Sequence, residues 1–285
     1  MNRFANSWAI AQQSWVVLQA NPSLAIFPVI SGIGTVLVSL PFIAPIVMMA
    51  IGREQRVPMM GPLSYLMGFL MYAAVYTVVV FCNSALVTCA FQNLRGLPTS
   101  PQEGFRNAMG HMPKIVGWAL IAATVGQIIR GVQERGGILG SIVGAFAGLA
   151  WNMVVFFVVP IMVLENLGPV DALKASADRL KRTWGEQSIL NGGMGLFSFL
   201  FTVLPLVGLV FLSVLCFSAN IVPLGLTLLG LGLVYVLAAM VVTSCLTTIY
   251  QTALYVYSST GALPAGYSEQ TIVQAFVPKT AYFRR

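Results

Sequence analysis

The sequence predicts an all-α fold: a polytopic membrane bundle of six transmembrane helices with three amphipathic helices on its cytoplasmic surface. Three observations carry that expectation. No charged residue lies from Gln187 to Ser268, a run of 82 residues, whereas a helix needs only about 20 apolar residues to cross about 30 Å of hydrocarbon. Four more charge-free runs precede it: Phe4–Gly52, Val57–Leu94, Ile115–Ile129 and Gly136–Leu164. The chain is 58% hydrophobic and 8% charged, against roughly a quarter charged in soluble domains, so it leaves no room for a soluble domain of ordinary size.

At the N-terminus Phe4, Trp8, Ala11, Trp15 and Leu18 follow four-three spacing and form one stripe on a helix. Two tryptophans in that stripe suit the membrane interface, where an indole buries its ring and keeps its N–H wet. Asn21-Pro22 closes this segment and opens the next helix, as an N-cap followed by proline at the first helical position. Arg3 is not followed by a short apolar core with a small-residue cleavage site, which argues against a removable signal peptide.

The spans are expected at about 24–50, 62–93, 114–133, 138–165, 189–217 and 222–257. The third has the shortest charge-free core, Ile115–Ile129, only ~22 Å long. Lys114 and Arg130 bracket it and reach outward along their stems. Asn220-Ile221-Val222-Pro223 supplies the turn between the last two spans.

A second surface helix starts at Ser100-Pro101-Gln102-Glu103, a capping-box pattern, with Phe105, Ala108, Met109 and Met112 as its apolar side. The third starts at Gly168-Pro169. Its apolar stripe is Val170, Leu173, Ala177, Leu180 and Trp184, and its wet face carries Asp171, Lys174, Asp178, Lys181 and Arg182. Asp178 and Arg182 stand four apart in the favourable acid-first order.

Eleven basic residues fall on one side of this arrangement and four, Arg53, Arg56, Arg130 and Arg135, on the other. That asymmetry predicts cytoplasmic termini, with residues 97–112, 168–186 and 270–285 inside and 53–60 outside. The formal +7 charge is spent on orientation, so no nucleic acid partner is expected. Each surface helix leads into a pair of spans, which divides a single membrane domain, 1–260, into units of about 2–95, 96–166 and 167–260, a threefold pseudo-repeat, with a short tail at 261–285.

Certain combinations resemble an uncharacterised prokaryotic family of six-helix integral membrane proteins. They are Phe4-Ala5-Asn6-Ser7-Trp8 with Asn21-Pro22-Ser23-Leu24, Val116-Gly117-Trp118-Ala119-Leu120 through Val125-Gly126, and Phe156-Phe157-Val158-Val159-Pro160 with Leu164-Glu165, Gly168-Pro169, Ala172, Ser176 and Trp184-Gly185. That resemblance implies the fold and no activity. The helix-pair layout is also distantly similar to the membrane domain attached to some glycerophosphodiester phosphodiesterases, but this chain has no such catalytic domain.

Four features bear on function. Gly136, Gly140, Gly144 and Gly148 recur every four residues and allow two backbones to approach closely. They mark a helix-packing face within the bundle or an interface with a second copy or another membrane protein. Arg179, Lys181 and Arg182 beside Trp184 form a candidate site for anionic lipid headgroups. Thr243, Ser244, Thr247, Thr248, Gln251 and Thr252, with Asn83, Ser84 and Thr88, either line a polar path or bond back to their own helices. Pro28, Pro41, Pro45, Pro160 and Pro205 interrupt spans.

No charged or histidine side chain falls near the middle of a span, which argues against proton- or sodium-coupled transport. Cys82, Cys89, Cys216 and Cys245 make no C-x-x-C pair, and His111 has no cysteine or second histidine near it in sequence, so no metal site or cofactor is expected. No catalytic motif is present either. The expectation is therefore a non-enzymatic inner-membrane protein that organises lipid or recruits a partner through its surface helices. The alternative is a passive carrier or channel for a small neutral or lipid-like solute.

Overall fold

The computed structural model describes residues 3–51, 62–183, 199–261 and 263–267, and among them every regular element is a helix. In order these are α1 (Arg3–Ala20), a 3-10 turn (Pro22–Ala25), α2 (Ile26–Ile51), α3 (Pro62–Leu94), α4 (Pro101–Gly110), α5 (Met112–Arg135), α6 (Gly137–Val154), α7 (Val158–Leu164) and α8 (Pro169–Thr183). A π-helical turn (Phe199–Val203) then leads into α9 (Leu204–Ser218), and α10 (Val222–Thr260) follows. Six helical stretches are long and apolar enough to cross a membrane, which makes the chain a helical membrane bundle. Arg130, which closes the charge-free core of the short third span, does not end its helix. α5 continues through Arg130 to Arg135, and Gly136 caps it.

The chain divides into two compact units. One comprises Met1–Ala25, Ala90–Pro98 and Thr183–Arg285, the other Ile26–Cys89 and Thr99–Arg182. In the first, α10 lies along α9 and along α1. Gly225 makes the α9–α10 approach possible. A Cβ on Gly225 would meet the Phe217 ring at 2.7 Å, whereas one on Gly232 would make ordinary contact with Leu209 at 3.7 Å. Gly261 ends α10 with φ 67°, the left-handed cap that glycine adopts without strain. The chain then runs back as a short strap in which the Ala265 N–H bonds the Leu94 carbonyl at 3.1 Å. Tyr267 and Ser14, 253 residues apart, join hydroxyl to hydroxyl at 2.6 Å while both are buried.

In the second unit α4 packs on the later part of α3. Ser100 caps α4 by accepting the Glu103 N–H at 3.3 Å, as its sequence predicts. The approach is close: a Cβ on Gly104 would sit 2.8 Å from the Ala85 carbonyl and 2.7 Å from Cys89 Sγ. Phe105 packs its ring between Phe27 and Phe81, with centroids 4.9 and 5.9 Å away. Trp118, 1% exposed, stacks on Trp151.

The prolines act unequally. Pro28 lies in the first turn of α2, where its N–H would have had no partner, and α2 runs unbroken through Pro41. Pro160 has no N–H for the Phe156 carbonyl and its ring crowds that group. The fourth span opens one turn earlier, stopping at Val154 and restarting at Val158. Pro205 stands just after the π-helical turn, and the Phe201 carbonyl accepts from the Tyr235 hydroxyl of α10.

The stripes of two surface helices sit differently from their sequence pattern. In α1, Ala11 and Leu18 are buried together with Ser14 and Val17, but Trp15 is 41% exposed. The cause is that α1 packs on α10, which claims the Ala11–Ser14–Leu18 side. The side chains of Phe4 and Trp8 lie outside the described residues. In α8 the buried residues are Ala172, Ser176 and Leu180, whereas Val170 is 50% exposed. Small side chains let α8 approach its neighbours closely, so the inward face follows size as well as apolarity.

Candidate functional site

The polar groups of the second unit converge where the fourth span ends and α8 begins. Ser176 is fully buried and mends the break in the span. Its hydroxyl donates to the Val154 carbonyl at 2.6 Å and accepts the Phe157 N–H at 3.1 Å. Both backbone groups flank the break, and an unmade hydrogen bond in a buried place costs about 1–3 kcal/mol. One hydroxyl from α8 therefore bonds both sides of the break and fixes where α8 docks.

Glu165 sits at the C-terminal end of α7, where the helix dipole disfavours a carboxylate. Arg179 of α8 offsets this with an ion pair at 2.5 Å, both side chains being about three-quarters buried. Asn166 takes a left-handed conformation, φ 57°, which asparagine tolerates better than most residues. Lys114, at the start of α5, donates to the Asn166 carbonyl at 2.5 Å and also to its side-chain oxygen. A cation thus meets the C-terminal end of the fourth span, the favourable sense for the dipole. Gly117 lets Pro169 approach α5, since a Cβ there would lie 3.4 Å from the proline ring.

Of the proposed headgroup residues, Arg179 is committed to this joint and Lys181 is exposed. The side chain of Arg182, and Trp184, lie outside the described residues. The remaining outward face carries Asp171 and Lys174, 3.9 Å apart with side chains 69% and 73% exposed, and Asp178. An ion pair so exposed contributes little. α8 therefore has two separate charged faces, one structural and one open.

The glycine ladder is divided in the same way. Gly136 caps α5 and lies at the corner before α6. A Cβ on Gly140 would stand 2.5 Å from the Val132 carbonyl, and one on Gly144 would overlap the Gln133 side chain, so both face α5 of the same chain. Gly148 meets nothing within 4 Å.

At the hydroxyl-rich end of α10, Thr252 is buried and donates to the Thr248 carbonyl of its own helix at 2.7 Å. In the other unit Thr88 donates to the Ser84 carbonyl at 2.9 Å and accepts from Asn107 of α4 at 2.8 Å. His111 joins α4 to α5 with Nδ1 2.8 Å from the Asn107 carbonyl. Cys82, Cys89 and Cys245 are buried free thiols.

Sequence reasoning assigned no role to three of these residues. Ser14, Ser176 and Tyr235 each carry a hydroxyl to a partner distant along the chain. A lone hydroxyl on the inward face of an amphipathic helix is the available signal, but its partner is supplied only by the fold.

Six apolar helices, charged joints confined to their ends and no Asp, Glu, Lys, Arg or His near the middle of any described span define a multi-pass membrane protein. Within that class, residues 63–265 match the family of unknown function DUF6159, and the chain belongs to that family. No curated protein and no solved structure matches it.

Proposed function

We propose that this chain is a non-enzymatic protein of a bacterial or archaeal cytoplasmic membrane, with both termini in the cytoplasm. Its surface helices organise anionic lipid and recruit a membrane-protein partner. The observation that carries the reading is the division of labour on α8. Ser176 and Arg179 hold the helix in place, while Lys174 and Lys181 stay in the open with Arg182 following on the same helix. Cations beside an anionic leaflet gain about 1 kcal/mol each. Exposed apolar residues on the other surface helices, Trp15 and Val16 on α1 and Met109 on α4, suit the same interface.

Native mass spectrometry of wild type and of Lys181→Gln/Arg182→Gln tests the lipid role. The double variant should retain less anionic lipid and keep its fold, and identical lipid retention would refute the headgroup site. Crosslinking in native membranes tests recruitment, and the reading expects a defined protein partner captured from residues 168–186. Reporter fusions at those residues should read as cytoplasmic, and periplasmic labelling there would overturn the orientation.

A further inference from the structure

The lengths of α10 and α3 exceed what a bilayer can hold. At 1.5 Å per residue, the 39 residues of α10 extend about 58 Å and the 33 of α3 about 50 Å. Hydrocarbon about 30 Å thick, crossed at the steepest usual tilt of about 40°, accommodates only about 26 residues. About 13 residues of α10 and about 7 of α3 must therefore stand outside it, and exposure shows which end they occupy.

In the first unit, large exposed apolar side chains run along α10 from Val222 to Met240, among them Leu226, Leu231, Val234 and Leu237, and none occurs on the rest of the helix. Beyond Met240 the helix carries Thr243, Ser244, Thr247, Thr248, Gln251 and Thr252, and Cys245, Leu246, Ile249 and Thr252 to Val256 are buried. In the second unit, α3 exposes Leu66, Met67, Leu70, Tyr72 and Val79, and no large apolar side chain from there to its end at Leu94. α6 exposes Leu139, Ile142, Val143, Phe146 and Leu149, whereas Val158–Val163 of α7 are buried throughout. The exposed bands of α6 and α10 belong to stretches of 18 and 19 residues, roughly one hydrocarbon thickness each.

We propose that hydrocarbon covers the band Val222–Met240 of α10, and that the helix end at 241–260 stands outside it within a packed extramembrane layer of its own unit. In the second unit α2 exposes Ile26, Val29 and Ile30 beside the later part of α3, so there only about seven residues at the end of α3 stand outside. The occupant of the α10 band is the acyl region of the bilayer, since a band of that height exposed to water has no other apolar cover. The hydroxyls of 243–252 then lie outside the acyl region and line no path across it. The proposal goes beyond the headgroup reading and does not depend on it.

Nitroxide labels placed one at a time on the exposed positions Leu226→Cys, Leu231→Cys, Val234→Cys, Leu237→Cys, Met240→Cys and Ser244→Cys, in a Cys216→Ser background in nanodiscs, report depth. The measure is the ratio of collisions with oxygen to collisions with a nickel chelate. The depth maximum should fall between Leu226 and Val234. A maximum at Leu237 or beyond would place the whole helix symmetrically about the bilayer and overturn the proposal.

Discussion

The first and second halves of α10 are equally helical and both apolar, yet they live in different surroundings. Leu226, Leu231, Leu233 and Val234 are exposed, whereas Leu246, Ile249, Ala253 and Leu254 are fully buried. α3 repeats the contrast in the other unit: Leu66 and Leu70 are exposed, but Ala85, Leu86 and Val87 are buried. Side-chain size separates the halves better than hydropathy does. The buried ends are rich in Cys, Ser and Thr, which let backbones approach, and the exposed halves in Leu. Lipid tails reward bulk on a helix surface, and protein neighbours reward smallness.

The strongest way to break this comparison is to remove bulk from a packed end. Trp118→Ala, at a side chain 1% exposed, should destabilise by about 3–5 kcal/mol. Thermal unfolding in detergent would show it as loss of most folded protein. If Trp118→Ala melts like wild type, the packed ends are not where stability resides.

Adding bulk sharpens the comparison within α6. Gly140→Ala drives a methyl onto the Val132 carbonyl, and overpacking of this kind costs about 1–3 kcal/mol. Gly144→Ala meets only the flexible, exposed Gln133 side chain and should cost less, while Gly148→Leu should leave the folded monomer unchanged. Loss of a wild-type oligomer in Gly148→Leu on native gels would show that the open end of the ladder meets a second copy. Equal damage at all three positions would show that the ladder is not divided as described.

Ser176→Ala removes the hydroxyl that bonds the Val154 carbonyl and the Phe157 N–H, a loss of about 1–3 kcal/mol. It should also speed hydrogen exchange at Phe157, a local signature that simple loss of packing would not give. Ser176→Thr, which keeps the hydroxyl, should restore much of that protection.

Tyr267→Phe cuts the strap from Ser14 and should cost about 1 kcal/mol. Burial pushes the Tyr267 phenol well above its usual value, partly countered by Ser14 and helped by Tyr250. The fold therefore holds the neutral form. The stability this adds is complete below about pH 10, the unfolded value, and is lost as pH rises through the raised one. Wild type should lose melting temperature above pH 10 faster than Tyr267→Phe. The smallest effect is expected in the lipid-facing half, where Leu233→Ala should change stability by less than about 0.5 kcal/mol.

Much of the architecture was legible before any coordinates. The spans read at 62–93 and 222–257 are helical from Pro62 to Leu94 and from Val222 to Thr260, because proline and glycine punctuate their ends. The Ser100 cap was legible for the same local reason. The faces of α1 and α8 were not, since Trp15 turned outward once α10 took the Ala11–Ser14 side. Arg179 looked like a third open cation, and only the fold brings Glu165 to it from 14 residues earlier in the chain.

What the sequence determined by itself was membership of the membrane, the six apolar helices and their punctuation. These depend on composition summed over about 20 residues and on local turn chemistry. The tertiary structure alone decided which half of a long helix is packed, which glycines meet a backbone, and which hydroxyl mends a broken span. Each of those depends on a neighbour beyond the local helical turn, eight residues away for Gly140 and 22 for Ser176, and an apolar side chain carries no mark that tells a lipid tail from another helix.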